Sequence, residues 1–588
     1  MTLVVVSNRV ASSDVNEPKI GGLAAALLPV VHKSGAIWVG FSGQLDDGHE
    51  KEPPTETHGG GRLVRLDVPA EDYRRYYDGF ANSALWPALH WRADLARAGA
   101  SEEDYDSYRK INAIMAQELD RIKEATAFWV HDYHFLALGK ELRKLDIKKP
   151  IGFFLHTPWP PRAIIESVRH HDELIGAMLD YDLIGFQTEE DRTNFLEYLG
   201  TDPMVNINGY VATCGHCQTR CQVFPIGIDV DTFTQWSADA VSEPLISYIR
   251  HGLNSERIAI GVDRIDYSKG IEERLHALDR LWTQKPDLKR SISLLQIAIP
   301  SRIGNPIYKR LQNDVSDLVC DINSRHRKDN WIPISYVKEG FSQAALASLY
   351  RAAEVALVTP LRDGMNLVAK EYVAAQDPKD PGVLILSKFA GAAKELEQAL
   401  LVDPNNIDDI ADKISTAMSM SPGERISRWR DMMARLKAYP IARWSEDFVT
   451  ELKKTPTEKL AGPFGPRNVG EPSGSKGKVE RTLAGGSSRL DLSRQLSRPA
   501  SDVTTRRLDH DFTNIVGPSW NHGPQAAPDV LLGVLNRMAA FPRPLQATTS
   551  LYIHGHSYMA QLAAGTREVT LNNPLGVNVI LIPQLKGG

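Results

Sequence analysis

Short apolar runs alternate with longer amphipathic segments along most of the chain. In the first half, β-branched or aromatic runs end in polar residues, as in LVVVSN and FWVHDYH. The second half repeats the pattern in IAIGVDRID, VALVTPLRDG and GVLILSKFAG. Short buried strands that alternate with helices are typical of parallel sheets with both faces covered. The pattern therefore predicts an α/β chain built on doubly wound parallel sheets.

The polar residues that follow the apolar runs carry the candidate chemistry. In open parallel sheets, ligands bind beyond the carboxyl ends of the strands. The unusual polar residues at such positions are Asn8, Arg9, Asp132, His156, Arg264, Arg302 and Asp363. We expect these side chains to line a binding cleft.

Two domains are predicted from a break in the pattern. A polar segment follows the strand that ends near Val223, and a new strand begins near Ile258. We therefore place one domain at residues 1–237 and a second at 238–455, each large enough for its own core. The last helix of the second domain is expected to pack back on the first domain.

The composition changes after Lys454. The run GPFGPRNVGEPSGSKGK is rich in Gly, Pro and Ser, which is typical of linkers and disordered segments. Apolar residues return after about Pro528, in a stretch that predicts a short helix and a strand. Residues 456–588 are therefore expected to be a linker and a largely disordered, low-complexity tail.

Composition excludes several classes of protein. The net charge of −5 over 588 residues gives the whole chain no electrostatic preference for nucleic acid or an anionic membrane. There is no uninterrupted apolar stretch of the ~18 residues needed to cross a bilayer. Four cysteines in so long a chain do not form a disulfide framework, which indicates a reducing compartment and a cytoplasmic protein.

Two segments have the residues needed to bind phosphates. In the first, the SNR run that ends at Arg9 is followed by Gly21–Gly22 before a helical stretch, where backbone N–H groups attract anions. In the second, DRIDYSKG, Arg264 and Lys269 can together hold a diphosphate. Taken alone, the glycine pair also fits a tight turn and DRIDYSKG a solvated basic loop.

The run TPLRDGMNLVAKEYVAAQ predicts a strand, a glycine-containing turn and a helix that begins near Asn366. The turn presents backbone N–H groups and Asp363. Glu371, in the first turns of the helix, can accept two hydrogen bonds from sugar hydroxyls. The alternative for Asp363 is a simple helix cap.

Aromatic and histidine side chains complete the candidate set. Tyr77 and Trp86 are candidates for a wall that packs on a sugar, although core packing is the commoner role of such residues. His156 follows a strand and precedes Pro158, a position that also suits a buried histidine of the core.

Two other motifs do not fit their usual contexts. Cys214-Gly-His-Cys217, with His216 and Cys221 nearby, has the spacing of a redox or zinc motif, but it lies in a predicted polar loop rather than after a strand. Gly555-His-Ser-Tyr-Met559 lacks the final glycine of a nucleophile elbow.

Taken together and in this order, the motifs resemble the trehalose-6-phosphate synthases, retaining glycosyltransferases of family 20. The resemblance runs from residue 3 to about residue 454. It rests on SNR, GG, LWPALHWR, VHDYH, GFFLHTPWP, YDLIGFQTEEDR, FPIGID, DRIDYSKG, Ser301–Arg302 and LVTPLRDGMNLVAKEYVAAQ. It implies the GT-B fold, in which two Rossmann-like domains face a cleft, and transfer of glucose from UDP-glucose to glucose 6-phosphate.

The resemblance also implies a role for each candidate. It places Arg264, Lys269, Asp363 and His156 at the reacting centre. The donor site would consist of Gly22, Arg264, Lys269, Asp363, Gly364, Met365, Asn366, Leu367, Val368 and Glu371, with the last on the ribose. The acceptor site would consist of Arg9, Tyr77, Trp86, Asp132 and Arg302, with the two arginines on the phosphate. The reaction would need no metal and no cofactor.

The sequence leaves some alternatives open. Phe41 stands where the family often has Trp, and Gln343 where some members have Arg. A sister enzyme that uses glycerol 3-phosphate, and a silent member that binds sugar phosphates as a regulator, remain as hypotheses. The donor nucleotide and the oligomeric state are not fixed by the sequence, and a homo-oligomer is allowed.

Overall fold

The computed structural model describes residues 2–10, 22–46, 55–58, 60–239, 243–302, 304–455, 548–553, 556–562, 569–572 and 578–581. These residues fall into two compact units, at 1–464 and 465–588. The first unit contains two large sheets, each covered by helices.

The first sheet has ten strands in the order β3-β4-β2-β1-β5-β6-β7-β10-β9-β8. Seven of them, from β4 to β10 in this order, run parallel, and antiparallel strands extend the sheet at both edges. The strands are β1 Leu3–Arg9, β2 Ile37–Asp46, β3 Thr55–His58, β4 Gly61–Pro69, β5 Ala127–His131, β6 Ile151–Phe154, β7 Leu183–Phe186, β8 Asn206–Asn208, β9 Val211–Cys214 and β10 Cys217–Val223.

The second sheet is parallel throughout, in the order β13-β12-β11-β14-β15-β16. Its strands are β11 Ile258–Arg264, β12 Ser293–Ile299, β13 Ile334–Val337, β14 Val355–Val358, β15 Val383–Ser387 and β16 Leu400–Val402. The prediction of doubly wound parallel sheets is therefore confirmed.

Helices cover both faces of the two sheets. They are α1 Gly22–Ser34, α2 Ala70–Arg74, α3 Trp86–Leu89, α4 Ala93–Ala98, α5 Glu102–Asp120, α6 Leu138–Lys144, α7 Arg162–Ile165, α8 His171–Met178, α9 Glu189–Leu199, α10 Val230–Ala238, α11 Glu243–Leu253, α12 Ile271–Gln284, α13 Pro306–His326, α14 Gln343–Ala352, α15 Leu367–Ala375, α16 Ile407–Ser419, α17 Pro422–Ala438 and α18 Ile441–Leu452. A π-helical segment, Arg75–Leu85, joins α2 to α3. None of the described helices is long and apolar enough to span a bilayer.

The chain crosses between the two sheets twice. After β10 it enters α10, where the Thr234 hydroxyl donates to the Ala374 carbonyl on α15 (3.0 Å). At the end of the unit, α18 returns to the first sheet, and Trp444 packs on Trp129 of β5 with ring centroids 5.0 Å apart. Phe448, one helical turn further along α18, stacks on the same Trp129 ring at 4.8 Å. The last helix of the second domain thus belongs to the core of the first.

The second unit contains a four-stranded antiparallel sheet in sequential order, where the sequence predicts a single strand. Its strands are β17 Thr548–Ile553, β18 His556–Leu562, β19 Val569–Asn572 and β20 Asn578–Leu581. Residues 556–559 lie within β18, so they do not form the strand-to-helix turn of a nucleophile elbow. The predicted linker and the helix after Pro528 lie outside the described residues.

Candidate functional site

The predicted polar residues lie at the carboxyl ends of adjacent strands. In the first sheet, Arg9 ends β1, Asp132 follows β5 and His156 follows β6, and these strands are neighbours in the order β1-β5-β6. In the second sheet, Arg264 ends β11, while Arg302 and Asp363 follow the two flanking strands, β12 and β14.

Asp132 and His156 form one side of the site. Asp132 has a φ of 75°, and its carboxylate accepts a hydrogen bond from the His156 backbone N–H (3.3 Å). Burial raises the pKa of Asp132 to about 6, while hydrogen bonds from the backbone and the charge of Arg264 act in the opposite direction. A carboxyl group with a pKa of about 6 can gain or lose its proton near neutral pH.

The His156 ring is neutral. Its Nε2 lies 3.1 Å from Nδ1 of His131, and burial lowers the pKa of His156 to about 3. Its backbone carbonyl lies against Gly364, where an added Cβ would be only 1.9 Å from the oxygen. Only glycine fits this approach of the two domains. The turn after β14 and the end of β6 are therefore in direct contact.

Lys269 and Asp363 form a buried ion pair. The Lys269 Nζ lies 2.5 Å from Asp363 Oδ2, and the Asn366 side-chain amide donates to the same oxygen (3.0 Å). Burial alone would raise the pKa of Asp363, but the charge and hydrogen bond of Lys269 lower it below its usual value. The carboxylate is thus ionised and held in place between two donors.

The N-terminus of α15 presents backbone N–H groups at the same place. Asn366 caps the helix with a φ of 70° and no side-chain cap, so the first N–H groups remain available. Met365 is buried, and Leu367 and Val368 pack partly against the core. Glu371, one turn further, accepts a hydrogen bond from the Tyr350 hydroxyl (3.3 Å), and burial raises its pKa to about 7.

Arg302 lies against Trp86 with its guanidinium carbon 4.0 Å from the ring centroid. The side chain is 3% exposed and pairs with Asp266 at 2.9 Å. Arg302 also donates to the hydroxyls of Tyr308 and Tyr133. Its buried Nε has no hydrogen-bond partner among the described residues. This cation is fixed in direction and retains one donor for a ligand.

Arg9 and Tyr77 form the opposite side of the same space. Arg9 is exposed, and its Nε donates to the Tyr73 hydroxyl (3.5 Å). Tyr77 stacks between Tyr73 and His134, with centroids 5.4 and 5.7 Å away. Burial, and then the charges of Arg302, Arg264 and Arg9, lower the pKa of His134 to about 3. The charges of three guanidinium groups therefore act on one neutral ring, which indicates a site of positive potential.

Some residues named from the sequence form few contacts at the site among the described residues. Gly22 is the first residue of α1, and the residues just before it lie outside the described part of the chain. Arg264 lies 5.8 Å from the Trp86 ring and forms no ion pair or hydrogen bond with the described residues. Phe41 is buried in the core against Tyr73, with ring centroids 5.7 Å apart. Gln343 simply begins α14.

The sequence reasoning missed two buried polar residues of the cleft, Asp266 and His90. Asp266 lies within DRIDYSKG, between the two predicted phosphate ligands Arg264 and Lys269. The His90 ring lies 4.0 Å from that of Trp86, and burial lowers its pKa to about 4, with Asp266 and Asp363 acting against this effect. The available signal was their position inside motifs: Asp266 lies in DRIDYSKG after a strand, and His90 lies in LWPALHWR.

Comparison with known proteins agrees with this geometry. The model of Glycosyltransferase family 20 matches residues 3–454. A trehalose-6-phosphate synthase of Enterobacter sp. (strain 638) is 41% identical over 456 residues, which are 77% of this chain and 95% of that protein.

Solved structures of trehalose-phosphate synthases are also similar to this chain. The UDP-forming alpha,alpha-trehalose-phosphate synthase of Burkholderia xenovorans, in complex with glucose-6-phosphate, has a TM-score of 0.74 at 37% identity, over 77% of this chain and all of that one. The E. coli protein bound with UDP-2-fluoro glucose has a TM-score of 0.73 at 37% identity, over 77% and 99%. The predicted GT-B fold is confirmed, and the chain belongs to glycosyltransferase family 20.

Proposed function

We propose that this chain transfers glucose from UDP-glucose to glucose 6-phosphate with retention, which gives α,α-trehalose 6-phosphate and UDP. The observation that carries the proposal is the set of cations at one cleft. Arg9 ends a strand of the first sheet and donates to the Tyr73 hydroxyl. Arg264 and Arg302 belong to the second sheet and its loops, and their guanidinium carbons lie 5.8 and 4.0 Å from the Trp86 ring centroid. Solved relatives are complexes with glucose-6-phosphate and with UDP-2-fluoro glucose.

On the donor side, Arg264 and Lys269 hold the diphosphate. The N-terminus of α15 and Gly22 add backbone N–H groups, and Glu371 accepts hydrogen bonds from the ribose. Asp363 binds the hydroxyls of the donor glucose. The 2.5 Å contact between Lys269 Nζ and Asp363 Oδ2 supports these two roles, because the side chain proposed for the phosphate lies beside the one proposed for the sugar.

On the acceptor side, Arg9 and Arg302 bind the phosphate of glucose 6-phosphate. The unpartnered Nε of Arg302 is a buried donor, which costs free energy until a ligand satisfies it. Tyr77 and Trp86 pack on the sugar. Asp132 accepts from an acceptor hydroxyl, at the position where its backbone is fixed beside His156.

The reaction proceeds on one face of the donor sugar. The bond from the anomeric carbon to the diphosphate breaks, and the acceptor hydroxyl attacks from the same side. The leaving phosphate oxygen takes the hydroxyl proton. Arg264 and Lys269 stabilise the charge that develops on that phosphate, which preorganised cations do best in a site shielded from water. His156, neutral in the fold, serves through its backbone carbonyl and its position.

A product assay tests the proposal. Purified full-length protein receives UDP-glucose with glucose 6-phosphate, and separately with glycerol 3-phosphate, while UDP release and the sugar product are measured. We expect UDP and a non-reducing disaccharide phosphate with glucose 6-phosphate only. Lys269→Ala is the control for turnover by a contaminating enzyme.

Each other outcome identifies an alternative. Product with glycerol 3-phosphate alone would show a sister enzyme with another acceptor. If the protein binds both substrates but forms no product with any donor nucleotide, the regulatory hypothesis is right and the proposal is wrong.

A further inference from the structure

Asp266 connects the two domains at the acceptor side of the cleft. It is 1% exposed and lies two residues after the end of β11. Its Oδ2 accepts from Arg302 at 2.9 Å and from the Tyr308 hydroxyl at 3.2 Å. Its Oδ1 accepts from the indole N–H of Trp86 at 3.4 Å and from the Ser268 backbone at 3.0 Å. One carboxylate therefore fixes a cation of the second domain and an aromatic ring of the first.

A buried carboxylate with this many donors is ionised. Burial by itself would raise the pKa of Asp266, but the charge of Arg302, with those of Lys269 and Arg264, lowers it to about 2. The pair with Arg302 is thus present at every physiological pH. The pair holds the Arg302 guanidinium 4.0 Å from the Trp86 ring centroid, while its buried Nε has no hydrogen-bond partner among the described residues.

We propose that Asp266 is a positioning residue for the acceptor, which sets Arg302 and Trp86 in the single arrangement that binds a sugar phosphate. The inference rests on the proposed function. Asp266 does not touch substrate; it acts through the two side chains that do. Its loss should weaken binding of the acceptor and leave binding of the donor nearly unchanged.

The test compares Asp266→Asn and Asp266→Glu with the wild-type enzyme. Because removing one partner of a buried ion pair is strongly destabilising, the isosteric and the charge-conserving variants are used. KM is measured for glucose 6-phosphate at saturating UDP-glucose, and for UDP-glucose at saturating glucose 6-phosphate. Asp279→Asn, which breaks an ion pair with Arg325 on helices away from the cleft, is the matched control.

We expect Asp266→Asn to raise the acceptor KM about tenfold or more and the donor KM less than about twofold, since uniform binding to one substrate is lost. Asp266→Glu should recover part of the effect. In an Arg302→Ala background, Asp266→Asn should add little, because coupled residues are not additive.

Three outcomes would overturn the role. An equal rise in both KM values would show a general structural effect, and an unchanged acceptor KM would show no role. A lower acceptor KM would mean that Asp266 only neutralises Arg302. Absence of turnover by the wild-type enzyme would instead overturn the proposed function itself.

A separate observation concerns Cys214 and Cys217. They are directly opposite each other in the antiparallel pair β9–β10, across the two-residue turn Gly215-His216. Gly215 has a φ of +58°, while His216 is not among the residues with positive φ, as in a type II′ turn. Opposed residues of this kind have Cα atoms ~5.5 Å apart, which is within the range that a disulfide spans.

We infer that Cys214 and Cys217 form a reversible disulfide with a low-molecular-weight disulfide as oxidant. One thiolate attacks the oxidant and releases its first thiol. The second thiolate then displaces the other, so two protein thiols are oxidised and one disulfide is reduced to two thiols. Cys221 is buried, and burial raises its pKa to about 12, so it does not compete.

The test treats intact protein with oxidised glutathione. Trypsin cleavage after Arg192 and Arg220 leaves both cysteines in one peptide and Cys221 in the next. We expect that peptide to lose two hydrogen atoms and to resist alkylation, while Cys214→Ser should carry glutathione on Cys217. Exposed Cys320 is the internal control for a single thiol. Glutathione on both cysteines, or two thiols that still alkylate, would overturn the inference.

Discussion

Glu371 should link donor binding to pH. It lies on α15, and its one hydrogen bond among the described residues comes from the Tyr350 hydroxyl. Burial raises its pKa to about 7, against the effect of that hydrogen bond. In the proposed donor complex, ribose hydroxyls donate to the ionised carboxylate, which lowers its pKa. UDP-glucose should therefore bind only the ionised form and release a proton when the carboxyl is protonated.

The magnitude follows from the pKa. If only the ionised form binds, the apparent Kd is multiplied by one plus the ratio of protonated to ionised carboxyl groups. With a pKa of about 7 this factor is about 11 at pH 6 and about 1.1 at pH 8. Affinity for UDP-glucose should thus increase about tenfold from pH 6 to pH 8. UDP-glucose itself has no group that titrates in this window.

The effect of pH on the stability contributed by Glu371 has the opposite sign to its effect on donor binding. The pKa of Glu371 is higher in the folded chain than the ordinary 4.5 of the unfolded chain, so the folded state prefers the protonated form. The contribution of Glu371 to the free energy of unfolding is fully present below about pH 4.5. It is lost as the pH rises through about 7.

Isothermal titration calorimetry at several pH values, in buffers of different ionisation enthalpy, measures both the Kd and the protons released. Glu371→Gln should bind UDP-glucose with an affinity that is nearly constant from pH 6 to pH 8. Glu272→Gln is the matched control, since burial and Glu273 also raise the pKa of Glu272, on α12. A Kd that rises with pH in the wild-type protein, or a pH dependence that persists in Glu371→Gln, would refute the reasoning.

Three further predictions concern chemistry, the tail and the core. Arg264→Ala and Lys269→Ala should each lower kcat about 10²–10³-fold, because each removes one preorganised donor to a developing anion. Single-turnover rates measure this loss, and an unchanged kcat would refute the role. Deletion of residues 463–588 should leave folding and turnover intact, as activity of the truncated protein will show. Trp444→Ala should lower the free energy of unfolding by about 3–5 kcal/mol in urea titrations, because its buried ring packs on Trp129.

The pattern of apolar runs was sufficient to predict both parallel sheets and the edge where the site lies. Strands such as β5 and β14 are buried along their whole length, so they appear in the sequence as continuous apolar segments. Asp132 follows β5 directly, and Asp363 lies in the turn that follows β14. Their position at the carboxyl edge is therefore a consequence of local sequence and the geometry of parallel sheets.

Contacts between the domains could not be predicted in the same way. The approach of Gly364 to the His156 carbonyl depends on how two separately folded sheets meet, and no local pattern encodes it. The π-helical segment that carries Tyr77 has no periodicity that separates it from an α-helix. Asp266 was overlooked for a related reason, since its partners Trp86 and Arg302 are distant in sequence.

The cations of the cleft, which the sequence presents as one cluster, fall into two groups in the structure: those paired with a carboxylate and those without such a pair among the described residues. Lys269 and Arg302 are already paired with buried carboxylates, which offset part of their attraction for an incoming anion. Each is also held in one direction before a substrate arrives and needs no reorganisation during the reaction. Arg9 and Arg264 form no ion pair with the described residues, so less of their charge is offset when an anion approaches. Substitution of the unpaired arginines should therefore reduce the salt dependence of substrate binding, whereas substitution of the paired cations should reduce the rate of the chemical step or the fit of the bound sugar.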